Sequence, residues 1–211
     1  VKQGSGKMKK VCDNWQAAFP AGKVSPEFWA AFEENAKNAG AEIFKVKTAA
    51  EAKDIVANLA KFTNAKKVVA VDSALQASAN INEELKELGI TVYNDATDIA
   101  EHAESADIGI STVEFAIGES GSLCMDGYAF ESRLVTMLPP IHIAFVNSNA
   151  VVAGINEAFE IISKVYDNGY VSFITGPSRT ADIERVLTIG VHGPSRLVII
   201  AVDEAINGGV N

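Results

Sequence analysis

The sequence is poor in the residues that hold metals and cofactors. Its 211 residues include two cysteines, Cys12 and Cys124, and three histidines. An iron–sulfur cluster normally takes four cysteine ligands, so this chain is expected to carry none. There is no CxxC pair, which removes zinc-ribbon and thioredoxin-type sites. Two reduced thiols in a cytoplasmic protein are the expected state, with a single disulfide as the alternative. Neither GxGxxG nor GxxxxGK[ST] is present, so the Rossmann and P-loop fingerprints are missing, as are HExxH, CxxCH and GxSxG. No apolar run approaches the roughly 18 residues of a membrane span. The N-terminus is basic but lacks the apolar stretch of a secretory leader, which points to the cytoplasm. Positive charge is also short: 18 Lys and Arg face 27 Asp and Glu, for a net −9. Such a chain repels phosphate backbones, so nucleic acid is not expected as a partner.

What is present describes an ordinary globular protein, 48% hydrophobic and 21% charged. A chain of this length can bury a core without staples. Residues 1–20 read as an N-terminal arm, partly vector-derived because Gly-Ser-Gly precedes Met8, and residues 21–206 as one domain. Ser25 and Pro26 are a good cap and first helical residue, followed by Phe28, Trp29, Phe32 and Ala36 on one stripe, with Gly40 as a stop. Ala41–Val46 reads as a strand. Thr48–Phe62 reads as a helix with Thr48 and Glu51 at capping-box spacing. Lys67–Val71 is a β-branched run, Ser78–Leu88 a helix ended by Gly89, and Ile90–Asn94 a further strand. This alternation implies βαβ units.

The second half begins with Ala106–Ile117, which alternates at period two. Gly118–Gly121 makes a tight turn, and Ile141–Val146 is a strand. Val151–Asn168 reads as one long amphipathic helix ended by Gly169. The segment YVSFITG is a strand, GPSRTADIERVL runs from loop into helix near Thr180, and SRLVIIAV is the last strand. The predicted class is α/β, a mainly parallel sheet flanked by helices with some antiparallel edge.

Three segments carry residues suited to chemistry. In Ile174–Glu184, small residues lead from a strand into a helix, a combination that leaves backbone N–H groups free for an anion. Arg179 adds a fork that matches a carboxylate, and Ser178 and Asp182 flank it. The alternative is a capped helix with Arg179 paired to Asp182 or Glu184. In Gly190–Pro194, His192 sits between glycines on turning backbone, either as an acid/base near neutral pH or as a loop hydrogen-bonder. In Gly118–His142, Glu119 stands in a glycine-bounded turn, and Arg133 and His142 could meet it. The alternative there is a solvated turn, with Pro139 and Pro140 stiffening the approach to a strand. His102 lies in a polar helical stretch and reads as solvated.

The succession ADIGIS, EFAIGESGSL, RLVTMLPPIHIAFV and SFITGPSRTADIERVLTIGVHGPSRLVIIAV, spanning about Ala106 to Val202, resembles the LUD-domain family, which includes lactate utilization protein C. TGPSRTADIE followed by GVHGP is its most specific part. The resemblance implies a NagB/RpiA/CoA-transferase-like α/β fold and a place in L-lactate oxidation to pyruvate. It implies iron–sulfur partner proteins, which fits the missing cluster ligands here. It makes Glu119, His142 and His192 catalytic candidates and Arg133, Ser178, Arg179 and Asp182 candidates for gripping a small organic acid in one shared cleft. Self-association into a homo-oligomer is compatible with all of this. Two other readings stand beside it. One is a CoA-transferase-like or ligase-like enzyme with Glu119 as nucleophile, weakened because Ser120 replaces the asparagine of the ENG turn. The other is a small-anion binding protein without catalysis.

Overall fold

The computed structural model describes residues 7–180 and 188–204. The chain begins with β1 (Lys9–Lys10) and a 3-10 turn at Trp15–Ala18. Ser25 then accepts a hydrogen bond from the Glu27 N–H and starts a turn over Pro26–Phe28 that runs into α1 (Trp29–Asn38). The expected stripe is real: Trp29, Phe32 and Ala36 are buried. Gly40, at φ 95°, ends the helix, and the Ala41 N–H reaches back to the Ala36 carbonyl. β2 (Glu42–Val46) follows, then α2 (Ala49–Phe62). Thr48 caps α2 by accepting from the Glu51 N–H, while the Glu51 carboxylate accepts from the Lys47 N–H.

β3 (Lys67–Ala70) leads to two short helices, α3 (Ala74–Ser78) and α4 (Ile81–Glu87), where one had been expected. Asn80 separates them at φ 55°, a left-handed conformation that asparagine tolerates. β4 (Thr91–Tyr93), α5 (Ala96–His102) and β5 (Ile108–Thr112) come next, with the His102 ring stacked on Tyr93 at 3.9 Å. β6 (Phe115–Ile117), β7 (Ser122–Asp126), α6 (Phe130–Met137) and β8 (Ile141–Asn147) follow. The last group is β9 (Val151–Val152), α7 (Ile155–Val165), β10 (Tyr166–Asn168), β11 (Val171–Ile174), β12 (Arg179–Thr180), β13 (Thr188–Ile189) and β14 (Arg196–Val202).

Six strands form a wholly parallel sheet in the order β2-β14-β8-β5-β3-β4. Such a sheet must be covered on both faces. On one face Val68, Ile108, Ile143, Phe145, Val198 and Ile200 pack against α2, α3 and α4. On the other, Ala144, Val146, Leu197 and Ile199 pack against α1 and a small second sheet, ordered β11-β7-β6-β9. Val69 and Val135 join α5 and α6 to that same face farther along. The outer side of the small sheet is closed by α7, Trp15 and Ala18, so the N-terminal segment is packed on the body.

Two expectations fail because distant strands recruit these segments. The alternating run 106–117 is two strands in two sheets, because the chain leaves β5 at Val113 and turns into β6. The expected helix 151–168 is strand, helix and strand. Val151 and Val152 are both buried and pair with Ala116 and Ile117, and Tyr166 is extended and pairs with Lys10. Arg179 and Thr180, expected at a helix start, pair with Ile189 and Thr188, and the helix expected beyond Thr180 lies outside the described residues.

Candidate functional site

A cavity of about 330 Å³ lies at the amino ends of β8 and β14, beside the end of α6 and the edge strand β11. Strand alternation decides what faces it. Ile141, Ile143 and Phe145 point to the helix-covered core, so His142, between them, points to the opposite face. Its register neighbours are Gly109 on β5 and Leu197 on β14. Gly109 is small for a reason: a Cβ there would sit 2.1 Å from the Val135 carbonyl oxygen of α6.

His142 is fully buried and lines the cavity. Burial pushes its pKa down to about 4, so the imidazole is neutral at neutral pH. Its Nε2 lies 2.8 Å from the hydroxyl of Ser111, itself buried, and its Nδ1 has no hydrogen-bond partner among the described residues. His142 is the partner shown for that serine hydroxyl. Nδ1 itself has almost no accessible surface, so it lies behind the cavity wall.

Ser178 and His192 line the same cavity, as does Thr175. The Ser178 N–H donates to the Pro194 carbonyl at 2.8 Å, and the Gly190 N–H donates to the Ser178 carbonyl at 2.9 Å, which holds the two loops together. His192 is exposed, whereas His142 is enclosed. The other expected residues do not join them. Arg133 lies 5.2 Å over the ring of Tyr170, a cavity residue, but is not itself in the wall. Arg179 donates to the Ala39 carbonyl at the end of α1, where a helix C-terminus attracts a cation. Glu119 accepts from the Ile155 N–H at 3.2 Å, drawn to the start of α7, away from the cavity. Asp182 lies outside the described residues. Of the six candidates among the described residues, His142, Ser178 and His192 line the cavity, with Arg133 behind Tyr170.

Sequence reasoning missed Ser111, Tyr170 and a row of hydroxyls. Ser120 donates to Ser122 at 2.8 Å, and Ser122 and Thr175 are 2.7 Å apart, which links the 118–121 turn to the cavity wall. It also missed a polar cluster centred on Asp126. That carboxylate accepts from Lys10 at 2.8 Å, Trp15 at 2.9 Å, the Tyr128 N–H at 2.9 Å and the Tyr166 hydroxyl. Burial alone would raise its pKa, but these donors together hold it below the usual range. Burial, reinforced by the Asp126 charge, pushes Glu114 up to about 8. Burial also raises the Cys124 thiol, so it is no ready nucleophile, and neither cysteine is in a disulfide. This cluster ties the N-terminal segment to β7 and β10. Among the described residues no helix is long and apolar enough to cross a membrane.

Fold and cavity together define an α/β protein built on an open parallel sheet, with a partly open pocket beside the amino ends of two of its strands. The sequence model of the LUD domain matches residues 29–202, and the chain belongs to that family. Lactate utilization protein C 1 of Bacillus mycoides is 37% identical over 107 residues, 48% of this chain and 46% of that protein. Lactate utilization protein C of Shouchella clausii is 32% identical over 146 residues, 66% of this chain and 64% of the relative. The chain thus matches about half to just under two thirds of these relatives' length. A DUF162 family protein from Deinococcus radiodurans superposes with a TM-score of 0.55 at 21% identity, covering 87% of this chain and 99% of that one, and shares its fold.

Proposed function

We propose that the chain serves L-lactate utilisation as a non-redox, ligand-binding subunit beside iron–sulfur partner proteins. Membership of the LUD-domain family and likeness to the lactate utilization proteins C support the process. With two cysteines, one of them buried, the chain is poorly equipped to hold a cluster, so electron transfer falls to partners. The observation that carries the ligand-binding role is the cavity of about 330 Å³ whose wall includes His192, Ser178, Thr175 and Tyr170. His192 is placed to interact with whatever part of the ligand faces solvent. Among the described residues, Arg133 and Arg179 are not in the wall of this cavity.

Deletion of the gene should abolish growth on L-lactate and leave growth on glucose intact. Complementation with His192→Ala should restore growth poorly, although the variant protein accumulates. The purified chain should contain neither iron nor acid-labile sulfide. Undiminished growth of the deletion strain on L-lactate would remove the proposal.

A further inference from the structure

The contacts of the N-terminal arm reach as far as the cavity, and what they do there rests on the proposal that this cavity is a ligand site. We infer that the arm is a strap: docked on Asp126 and β10, it fixes Tyr170 in the cavity wall, and the site is complete only while the arm is in place.

Tyr170 stands between the two segments that the arm grips. On one side is β10. The arm pairs with it through Lys9–Asn168 and Lys10–Tyr166, and the Val11 and Cys12 N–H groups both donate to the Val165 carbonyl. The Tyr166 ring lies against Gly169, where an added Cβ would sit 2.3 Å from it, so the turn into Tyr170 is shaped on that ring. On the other side is β7. The Gly127 N–H that follows it donates to the Tyr170 carbonyl at 2.9 Å, and a Cβ on Gly127 would sit 2.5 Å from the Tyr170 ring. Neither contact has room for a side chain.

Asp126 joins the two sides. Its carboxylate accepts from Lys10 and Trp15 of the arm and from the Tyr166 hydroxyl of β10. The Lys10 and Asp126 side chains are only 19% and 14% exposed. Water screens such a pair weakly, and removing one partner leaves a largely buried charge short of a donor. Asp126 is bonded directly to Gly127, and it stands opposite Val171 in the pairing of β7 with β11, the strand that carries Ser172 and Ile174 in the cavity wall. Movement at Asp126 therefore reaches Tyr170 through its immediate neighbours.

Lys10→Met and Trp15→Phe in the full chain each remove one of the arm's bonds to Asp126, whereas Lys10→Arg keeps the charge. Amide hydrogen exchange, read by NMR, compares the Gly127 N–H with the Ser195 N–H, which donates to the Pro140 carbonyl elsewhere in the fold. Lys10→Met should speed exchange at Gly127 about ten-fold, the effect of one lost hydrogen bond to a charged group, and leave Ser195 unchanged. Trp15→Phe should have a smaller effect of the same kind, and Lys10→Arg should retain protection. In the deletion strain, Lys10→Met should slow growth on L-lactate several-fold although the protein accumulates, Lys10→Arg should grow well, and Lys45→Ala should grow as wild type. Unchanged protection of Gly127 in both Lys10→Met and Trp15→Phe, or equal losses at Gly127 and Ser195, overturns the strap. Normal growth of Lys10→Met beside poor growth of His192→Ala also overturns it, and leaves the ligand site standing. Normal growth of both variants removes the ligand-site reading, and the strap's hold on a site with it.

Discussion

The two ends of the parallel sheet differ sharply in how their polar groups are used. At the carboxyl ends, neighbouring loops satisfy one another. Thr112 donates to Ser73 at 2.8 Å, and Asp72 accepts from Asn82 and Asn94 at 2.9 and 2.7 Å. Ser148 donates to Asp203, and the Ala49 N–H donates to Glu204 at 3.1 Å. Only the side-chain carbonyls of Gln76 and Asn82 are left without a partner there among the described residues. At the amino ends of β8 and β14 there is open volume, and behind it a buried ring nitrogen of His142 without a partner among the described residues. Open α/β sheets usually bind ligands outside the carboxyl ends of their strands. Here the open volume lies at the other end, and it is that volume, not unmet hydrogen bonding, that makes the amino end the candidate site.

The comparison can be broken most forcefully at Gly109. Gly109→Ala would drive a methyl group into the Val135 carbonyl, so α6 must move away from the amino end. Denaturant unfolding should show a loss of about 3 kcal/mol. A loss under about 1 kcal/mol would mean that this wall is not closely built. The next effect is the pH response of His142. Its pKa is about 4 in the folded protein against about 6.5 when unfolded. The unfolded chain therefore binds the extra proton between those values. Stability from this group is complete above about pH 6.5, falls as pH drops to about 4, and levels off below, for a total near 3 kcal/mol. Subtracting the pH profile of His142→Asn should isolate that slope, and parallel profiles would contradict the burial of the ring.

At the carboxyl end the effects should be smaller and confined to stability. Ser148→Ala removes one hydrogen bond to Asp203 and should cost about 1 kcal/mol. Growth on L-lactate of the deletion strain complemented with this variant should not change. Poorer growth despite normal accumulation of the variant would show that the two ends communicate. Smallest is Lys45→Ala. Its ion pair with Asp203, at 3.4 Å, joins side chains about 40% exposed. A few tenths of a kcal/mol, vanishing in high salt, is expected from thermal melts.

The parts of the fold readable from sequence are those fixed by neighbouring residues. Ser25 with Pro26, Thr48 with Glu51, and Gly40 mark helix ends through contacts within a few positions, and they fall where expected. The β-branched runs of β3, β8 and β14 are equally plain. What could not be read depends on distant partners. Val151 and Val152 become a strand because Ala116 and Ile117 lie alongside, and Tyr166 is extended because Lys10 pairs with it. The site divides in the same way. His142 and His192 stood out by residue type, and Ser178 by its loop. Arg179 and Glu119 were taken from the cavity by the Ala39 carbonyl and the Ile155 N–H, which lie 140 and 36 positions away. Ser111 escaped notice because a small hydroxyl within an alternating strand looks like filler until its partner is known.

The strand order has a consequence for how the protein is made. β14 lies between β2 and β8, yet it is synthesised after every other strand of that sheet. While the ribosome is still at work, β2 has no neighbour to pair with, and the apolar flank of β8 that will meet Leu197 and Ile199 stays uncovered. Folding of the nascent chain must wait for this late insertion, a delay during which chaperones have reason to attend it.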